Sequence, residues 1–184
     1  MTPHPASAGR LLIVFAGPPC AGKTTVAEEL ARRLEIPYLS MDGARRRILP
    51  DAAHTREDRK AAYRAMHFAA EVLLQTGACA ILDAPYGHSE DRLELGRIVE
   101  AGRARLCLVE CRVSPETAVR RLGQRGHDPD RPDLTADVVA QAAREYPYTN
   151  SGLALEMDGL RPEEAIRQVC EYLGIPVSSP GPIS

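Results

Sequence analysis

Gly17-Pro18-Pro19-Cys20-Ala21-Gly22-Lys23-Thr24-Thr25 satisfies the pattern G-x-x-x-x-G-K-[ST], the spacing of a loop that cradles phosphate. Its glycines let the backbone curl until successive N–H groups converge on phosphate oxygens. A helix opening near Lys23 adds unpaired N–H donors and the positive end of its dipole. In such a loop Lys23 reaches the β- and γ-phosphates, and the Thr24 hydroxyl ligates Mg²⁺. ATP and Mg²⁺ are therefore the expected ligands. The flanks agree, because the apolar run Leu11–Ala16 precedes the loop and a helical period follows it. Cys20 occupies a position that the pattern leaves open. The loop predicts partial exposure and a positive field for its thiol, so oxidation or alkylation there would block nucleotide.

A phosphate loop alone does not separate kinases from switches or motors. Two acids downstream narrow the choice. Asp42 follows the short run Tyr38–Ser40 and so falls at a strand's carboxyl end, the side on which such sheets bind ligands. A carboxylate there can orient an acceptor hydroxyl and take its proton. Arg45, Arg46 and Arg47 beside it can grip a polar or anionic acceptor. The same stretch also reads as a helix N-cap followed by a solvated basic face. Asp83 closes the run Cys79–Asp83, as a Walker B acid does when it holds Mg²⁺ directly or through water; its plainer reading is a turn residue. Further on, Arg121 and Arg125 share one helix face at a spacing of four. Glycines and prolines follow them, so the segment near 120–135 reads as a lid. Its arginines would stabilise the transferring phosphoryl group and its closure would exclude water. A solvated basic face is the alternative.

The elements that must position these residues alternate. Apolar runs at Leu11–Ala16, Tyr38–Ser40, Cys79–Asp83, Arg105–Cys111 and Leu153–Met157 read as buried strands. Between them, Lys23–Leu34 sets Val26, Leu30 and Leu34 on one helical face, and Glu57–Gln75 repeats the pattern with Tyr63, Met66, Ala70, Leu73 and Leu74. Ser89 with Glu90 and Asp91 predicts a capped, acidic helix start. Pro115 and Pro162 each suit a first helical position, and Gly174 a helix end. Alternating strands and helices predict an α/β three-layer sandwich with a central five-stranded parallel sheet and a helical lid. The domain is expected over 10–175, with loose tails at 1–9 and 176–184.

Together these motifs resemble a family of small P-loop kinases. It includes chloramphenicol phosphotransferase, gluconate and shikimate kinases, zeta-type toxins and the kinase domain of polynucleotide kinase. The resemblance runs from about Leu11 to Leu173. It implies Asp42 as base, Arg45 on acceptor or phosphate, Arg92 in the helix after Asp83, and Arg121 and Arg125 as the lid pair. It also implies that Asp158-Gly159-Leu160-Arg161 borders adenine. Many relatives carry Asp-Ala-Thr after the third strand, whereas this chain has Asp83-Ala84-Pro85-Tyr86-Gly87-His88. That departure predicts a different acceptor pocket, in which Tyr86 either stacks on a ring or sits half-buried at the surface.

Bulk composition bounds the function. A formal net charge of −2 over 184 residues offers no global attraction for nucleic acid or an anionic membrane. No apolar stretch approaches the ~20 residues of a membrane helix, and MTPHPASAG lacks the regions of a signal peptide. Five cysteines without C-x-x-C suit packed thiols in a reducing cytoplasm. The leading expectation is transfer of the γ-phosphoryl group to a hydroxyl of a small-molecule acceptor, by a monomer or homodimer. A nucleotide or nucleic-acid-end kinase is the second reading; it would want an aromatic groove, and the chain has two Phe, six Tyr and no Trp. A nucleotide switch with slow ATPase is the third.

Overall fold

The structure, a computed structural model, describes residues 9–50, 55–126 and 131–176. The expected tails and the centre of the expected lid therefore lie largely outside the described residues. Strand β1 (Leu11–Ala16) runs down the middle of a five-stranded parallel sheet ordered β2-β3-β1-β4-β5. Its partners are β3 (Ala80–Asp83) and β4 (Arg105–Arg112); β2 (Tyr38–Ser40) and β5 (Leu153–Glu156) form the edges. All six residues of β1 are buried, as expected of a parallel strand covered on both faces.

Strand alternation divides that burial into two cores. Leu11, Ile13 and Phe15 point towards α1 (Lys23–Leu34) and α7 (Pro162–Leu173), with α5 (Pro115–Arg125) and α6 (Ala136–Glu145) completing that layer. Leu12, Val14 and Ala16 point the other way, onto α3 (Arg56–Gln75) and α4 (Ser89–Gly102). Each fully buried aliphatic side chain contributes roughly 1.5–3 kcal/mol, so β1 is the strand that binds the two layers together.

The helix ends follow their sequence signals with two corrections. Ser114 caps α5 through a bond from Thr117 N, Pro115 and Pro162 open their helices, and Gly174 closes α7 at φ 72°. Thr55 and Asp58 form a reciprocal capping box on α3. The short helix α2 (Met41–Ile48) is capped by Ser40, whose hydroxyl accepts from Gly43 N; Asp42 is thus inside the first turn and is not the N-cap. Ser89 is likewise the first residue of α4, after His88, and caps nothing. Helix α6 had no clear signal, because its glycine- and proline-rich approach reads as continuing loop. Among the described residues no helix is long and apolar enough to cross a membrane.

The loop after β3 is held by an aromatic cluster. Tyr86 is fully buried, its hydroxyl 3.1 Å from His67 Nε2, while its backbone N donates to Tyr63 Oη at 2.8 Å. It adopts φ 51°, an uncommon conformation for a tyrosine that these bonds support. Tyr86 is therefore a core residue, and the expectation that it stacks on an acceptor or sits half-exposed is overturned; the hydrophobic layer under α3 claims its ring. Burial pushes the His67 imidazole down to about 4, against the opposite pull of Glu94. Between the ordinary imidazole range and about 4 the unfolded chain binds the extra proton and the folded chain does not. Stability should fall as pH drops through that window, and His67→Gln should flatten the slope; urea midpoints across the window measure both.

Candidate active site

The register of the sheet assembles the site. Phe15 pairs with Asp83, and Asp83 pairs on its other side with Ser40. The loop after β1, the acid ending β3 and the first turn of α2 consequently meet at one edge. Gly17 is enforced there: a Cβ would lie 2.5 Å from Cys111 O, and φ is +150°. Gly22, at φ +90°, faces Met157 and Arg121 closely enough that a Cβ would sit 3.1 Å from the methionine methyl. Larger residues would push the cradle off the sheet.

Thr24 Oγ1 donates to Asp83 Oδ2 at 2.5 Å, and Tyr38 Oη donates to the same oxygen at 2.9 Å. Asp83 is nearly buried, and desolvation with the neighbouring carboxylate holds the Tyr38 hydroxyl well above its usual pKa, so it stays a donor. Lys23 Nζ donates to Pro18 O at 2.8 Å, which keeps the ammonium at the mouth of the loop. These residues border a cleft of about 140 Å³ together with Asp42, Arg46, Arg125 and Arg131. Pro19, Cys20 and Pro85 also line it. A second cleft of about 550 Å³ opens on the other flank of α1, between Thr25, Arg121, Gln124, Met157 and Leu160.

Donor set and cradle fit Mg-ATP. Mg²⁺ takes oxygen ligands, keeps several waters and typically draws only one or two ligands from protein; the Thr24 hydroxyl and the Asp83 carboxylate are such a pair. Among the described residues no cluster of three or more metal-ligating side chains exists, so the fit is to a metal shared with phosphate and not to a protein cage.

Several expected residues turn out differently placed. Arg121 Nη1 donates to Ala21 O at 3.0 Å and Nη2 to Met157 O at 2.6 Å, so its fork ties the cradle to the end of β5. Arg45 is buried and does not line the cleft, whereas Arg46 does. Arg92 Nη1 donates to Tyr86 O at 2.6 Å and braces the loop after β3. For Cys20 burial outweighs the field: desolvation raises the thiol pKa, and Arg125, Lys23, Arg131 and Arg121 only partly oppose it. The expected reactive thiol is therefore mostly protonated at neutral pH. Cys79, Cys107, Cys111 and Cys170 are buried and free.

One residue escaped the sequence reading. Arg131 Nη1 donates to Asp42 Oδ2 at 2.9 Å and its Nε to Asp133 Oδ1 at 3.1 Å. Eighty-nine positions separate Arg131 from Asp42, and no motif spans them. The residue that follows α6 makes a matching tie: the Tyr146 hydroxyl donates to Pro85 O.

Fold and cradle define a kinase-like P-loop domain. Over residues 12–147 the chain matches the AAA domain family AAA_33, and it belongs to that family. It is 25% identical to an adenylate kinase of Rhodopirellula baltica over 91% of this chain and 97% of that protein. A putative kinase from Chloroflexus aurantiacus matches with TM-score 0.71 and 21% identity, covering 89% of this chain and 98% of that one. The APS kinase of Mycobacterium tuberculosis, solved with AMPPNP and APS, gives TM-score 0.71 at 20% identity, covering 90% and 98%. The resemblance to small P-loop kinases is borne out, and ATP with Mg²⁺ is the nucleotide of this class.

If the Arg121 fork braces the cradle, Arg121→Ala should weaken ATP binding and lower thermal stability together, and Arg121→Lys should restore little, because one ammonium cannot span both carbonyl groups. Calorimetric titration with Mg-ATP and a melting curve measure the pair. Full ATP affinity in the alanine variant would rule the brace out.

Proposed function

We propose that this protein transfers the γ-phosphoryl group of ATP to a hydroxyl of a small-molecule acceptor, with Asp42 as the general base. The observation that carries this reading is the Asp42 carboxylate in one cleft with Lys23, Thr24 and Asp83. An alcohol must lose a proton to become a nucleophile, and a positioned carboxylate takes it. The acceptor O–H bond breaks and its proton passes to Asp42. The freed oxygen bonds to the γ-phosphorus as the bond from that phosphorus to the bridging oxygen breaks, and ADP leaves.

The chain's own groups suit these tasks. Arg131 holds Asp42 in place through its ion pair at 2.9 Å. Lys23 and Arg125 supply positive charge where negative charge gathers on the transferring group. Asp83 and Thr24 would hold Mg²⁺, which when bound neutralises phosphate charge and orients the nucleotide.

The similarity to an adenylate kinase favours a second reading, in which the acceptor is a phosphate. Asp42 argues against it. Two unit charges of like sign at 4 Å repel by about 4 kcal/mol at an effective dielectric of 20, and Arg131 offsets only part of that. An alcohol meets no such opposition and needs the base.

Asp42→Asn should leave Mg-ATP affinity and folding nearly unchanged, since Arg131 keeps Asp133, and should cut transfer by about 10²–10⁴. Asp83→Asn should instead raise the Mg²⁺ needed for half-maximal rate. ADP release is titrated with Mg²⁺ for each variant, against hydroxyl acceptors and against AMP. A wild-type rate in Asp42→Asn removes the base; phosphorylation of AMP by both forms alike replaces the alcohol reading with the phosphate one.

A further inference from the structure

Beside the transfer cleft lies a third cavity, of about 220 Å³, which shares Pro19, Met41, Pro85, Arg131 and Leu134 with it. One wall comes from a single face of α3. Arg56, Arg59, Lys60 and Tyr63 stand at positions i, i+3, i+4 and i+7, so their side chains line up along the helix. Opposite them Leu134 and Val138 supply an apolar wall from the lid side.

The charge on that face is only loosely compensated. Arg56 and Lys60 share one carboxylate, Glu90, at 3.8 and 3.9 Å, beyond hydrogen-bond length and well exposed. Arg59 lines the same cavity, and its backbone N donates to Thr55 O at 3.2 Å in the first turn of α3. Of the remaining acids on the cavity, Asp133 is engaged by Arg131, and Asp91, whose pKa burial raises, is opposed in that by the charges of His88, Lys60 and Arg56. Three cations thus face a half-apolar chamber in which Glu90 and Asp91 are the nearby acids, and the Glu90 contacts to Arg56 and Lys60 are long. A small molecule that brought its own anion could replace Glu90 at normal bonding distance, with the guanidinium forks gripping it in two places.

We infer that the acceptor is an amphipathic organic anion, whose carboxylate or phosphate is bound by Arg56, Arg59 and Lys60 and whose apolar body lies against Tyr63, Leu134 and Val138. This rests on the proposed alcohol-kinase reading, because the shared lining of the two cavities then directs the hydroxyl of the same molecule towards Asp42. Pockets of this kind take orientation from a few polar groups and area from apolar walls. The anionic head stands on the α3 side, away from the repulsion of Asp42.

The test is a binding measurement that needs no turnover. Phenyl phosphate, benzoate and benzyl alcohol share one ring and differ in head group. Each is titrated into the full chain and followed by NMR shifts of the α3 and α6 amides. At least one anion should bind tenfold or more tighter than benzyl alcohol, with an affinity that falls as salt rises. Arg59→Gln with Lys60→Gln should erase the preference while leaving Mg-ATP affinity unchanged, which also reports an intact fold. The phosphate and carboxylate arms tell which head group is read. Equal affinity for the alcohol, no binding of either anion, or a preference that survives the double substitution would each overturn the inference. Asp42→Asn should keep the anion preference, so failure of the base assignment and failure of the anion site produce different patterns.

Discussion

Parallel pairing of β1 with β3, in a register that sets Phe15 beside Asp83, is the constraint on which the rest of this molecule depends. Strand β1 is buried on both faces and bonded on both edges, so it cannot shift by one residue without turning Leu11, Ile13 and Phe15 into the wrong layer. With that register set, the cradle begins two residues beyond the partner of Asp83. Thr24 then reaches the carboxylate at 2.5 Å from the first turn of α1. Pairing of Ser40 with Asp83 brings the first turn of α2, and with it Asp42, to the same edge.

Around this frame the site is a balance of close, opposite charges. Asp83 collects two hydroxyl donors, Asp42 collects Arg131, and Lys23 rests on a loop carbonyl. Each of these three charged groups has a polar partner before any ligand adds its own, which limits the cost of burying charge at a sheet end. Arg121 shows how chemistry and architecture compete for one side chain. Its spacing with Arg125 suits a lid pair, yet its fork is engaged by carbonyl groups of the cradle and of Met157. The cradle curls its N–H groups inward and so leaves C=O groups facing out; a guanidinium is well shaped to satisfy them.

Much was legible in the chain. Five apolar runs became five strands in the expected parallel sheet, with bounds moved by a residue at Cys79, Arg112 and Met157. The cradle motif, the proline starts of α5 and α7 and the Gly174 stop all fell where local rules set them. These features are local: periodicity, caps and glycine turns need only neighbouring residues to state their preference. Misreadings arose where a local signal had a distant competitor. Tyr86 sits in a loop, and loops are ordinarily exposed; its burial comes from Tyr63 and His67 on α3, about twenty residues earlier. Cys20 lies in a positive field, but burial desolvates it more than the field helps it.

By itself the sequence determined that an apolar strand, a phosphate cradle and a helix follow one another, and that acids end the neighbouring strands. Those statements concern residues a few positions apart, where backbone geometry leaves few choices. Only the tertiary structure decided which acid meets which cation. Asp42 met Arg131 rather than its neighbour Arg45, and Arg121 met carbonyl groups rather than the cleft that holds Asp42. The reason is that side-chain pairing depends on distances of a few ångströms between elements far apart in the chain, and those distances are set by how α2, α5 and the segment before α6 pack over the sheet.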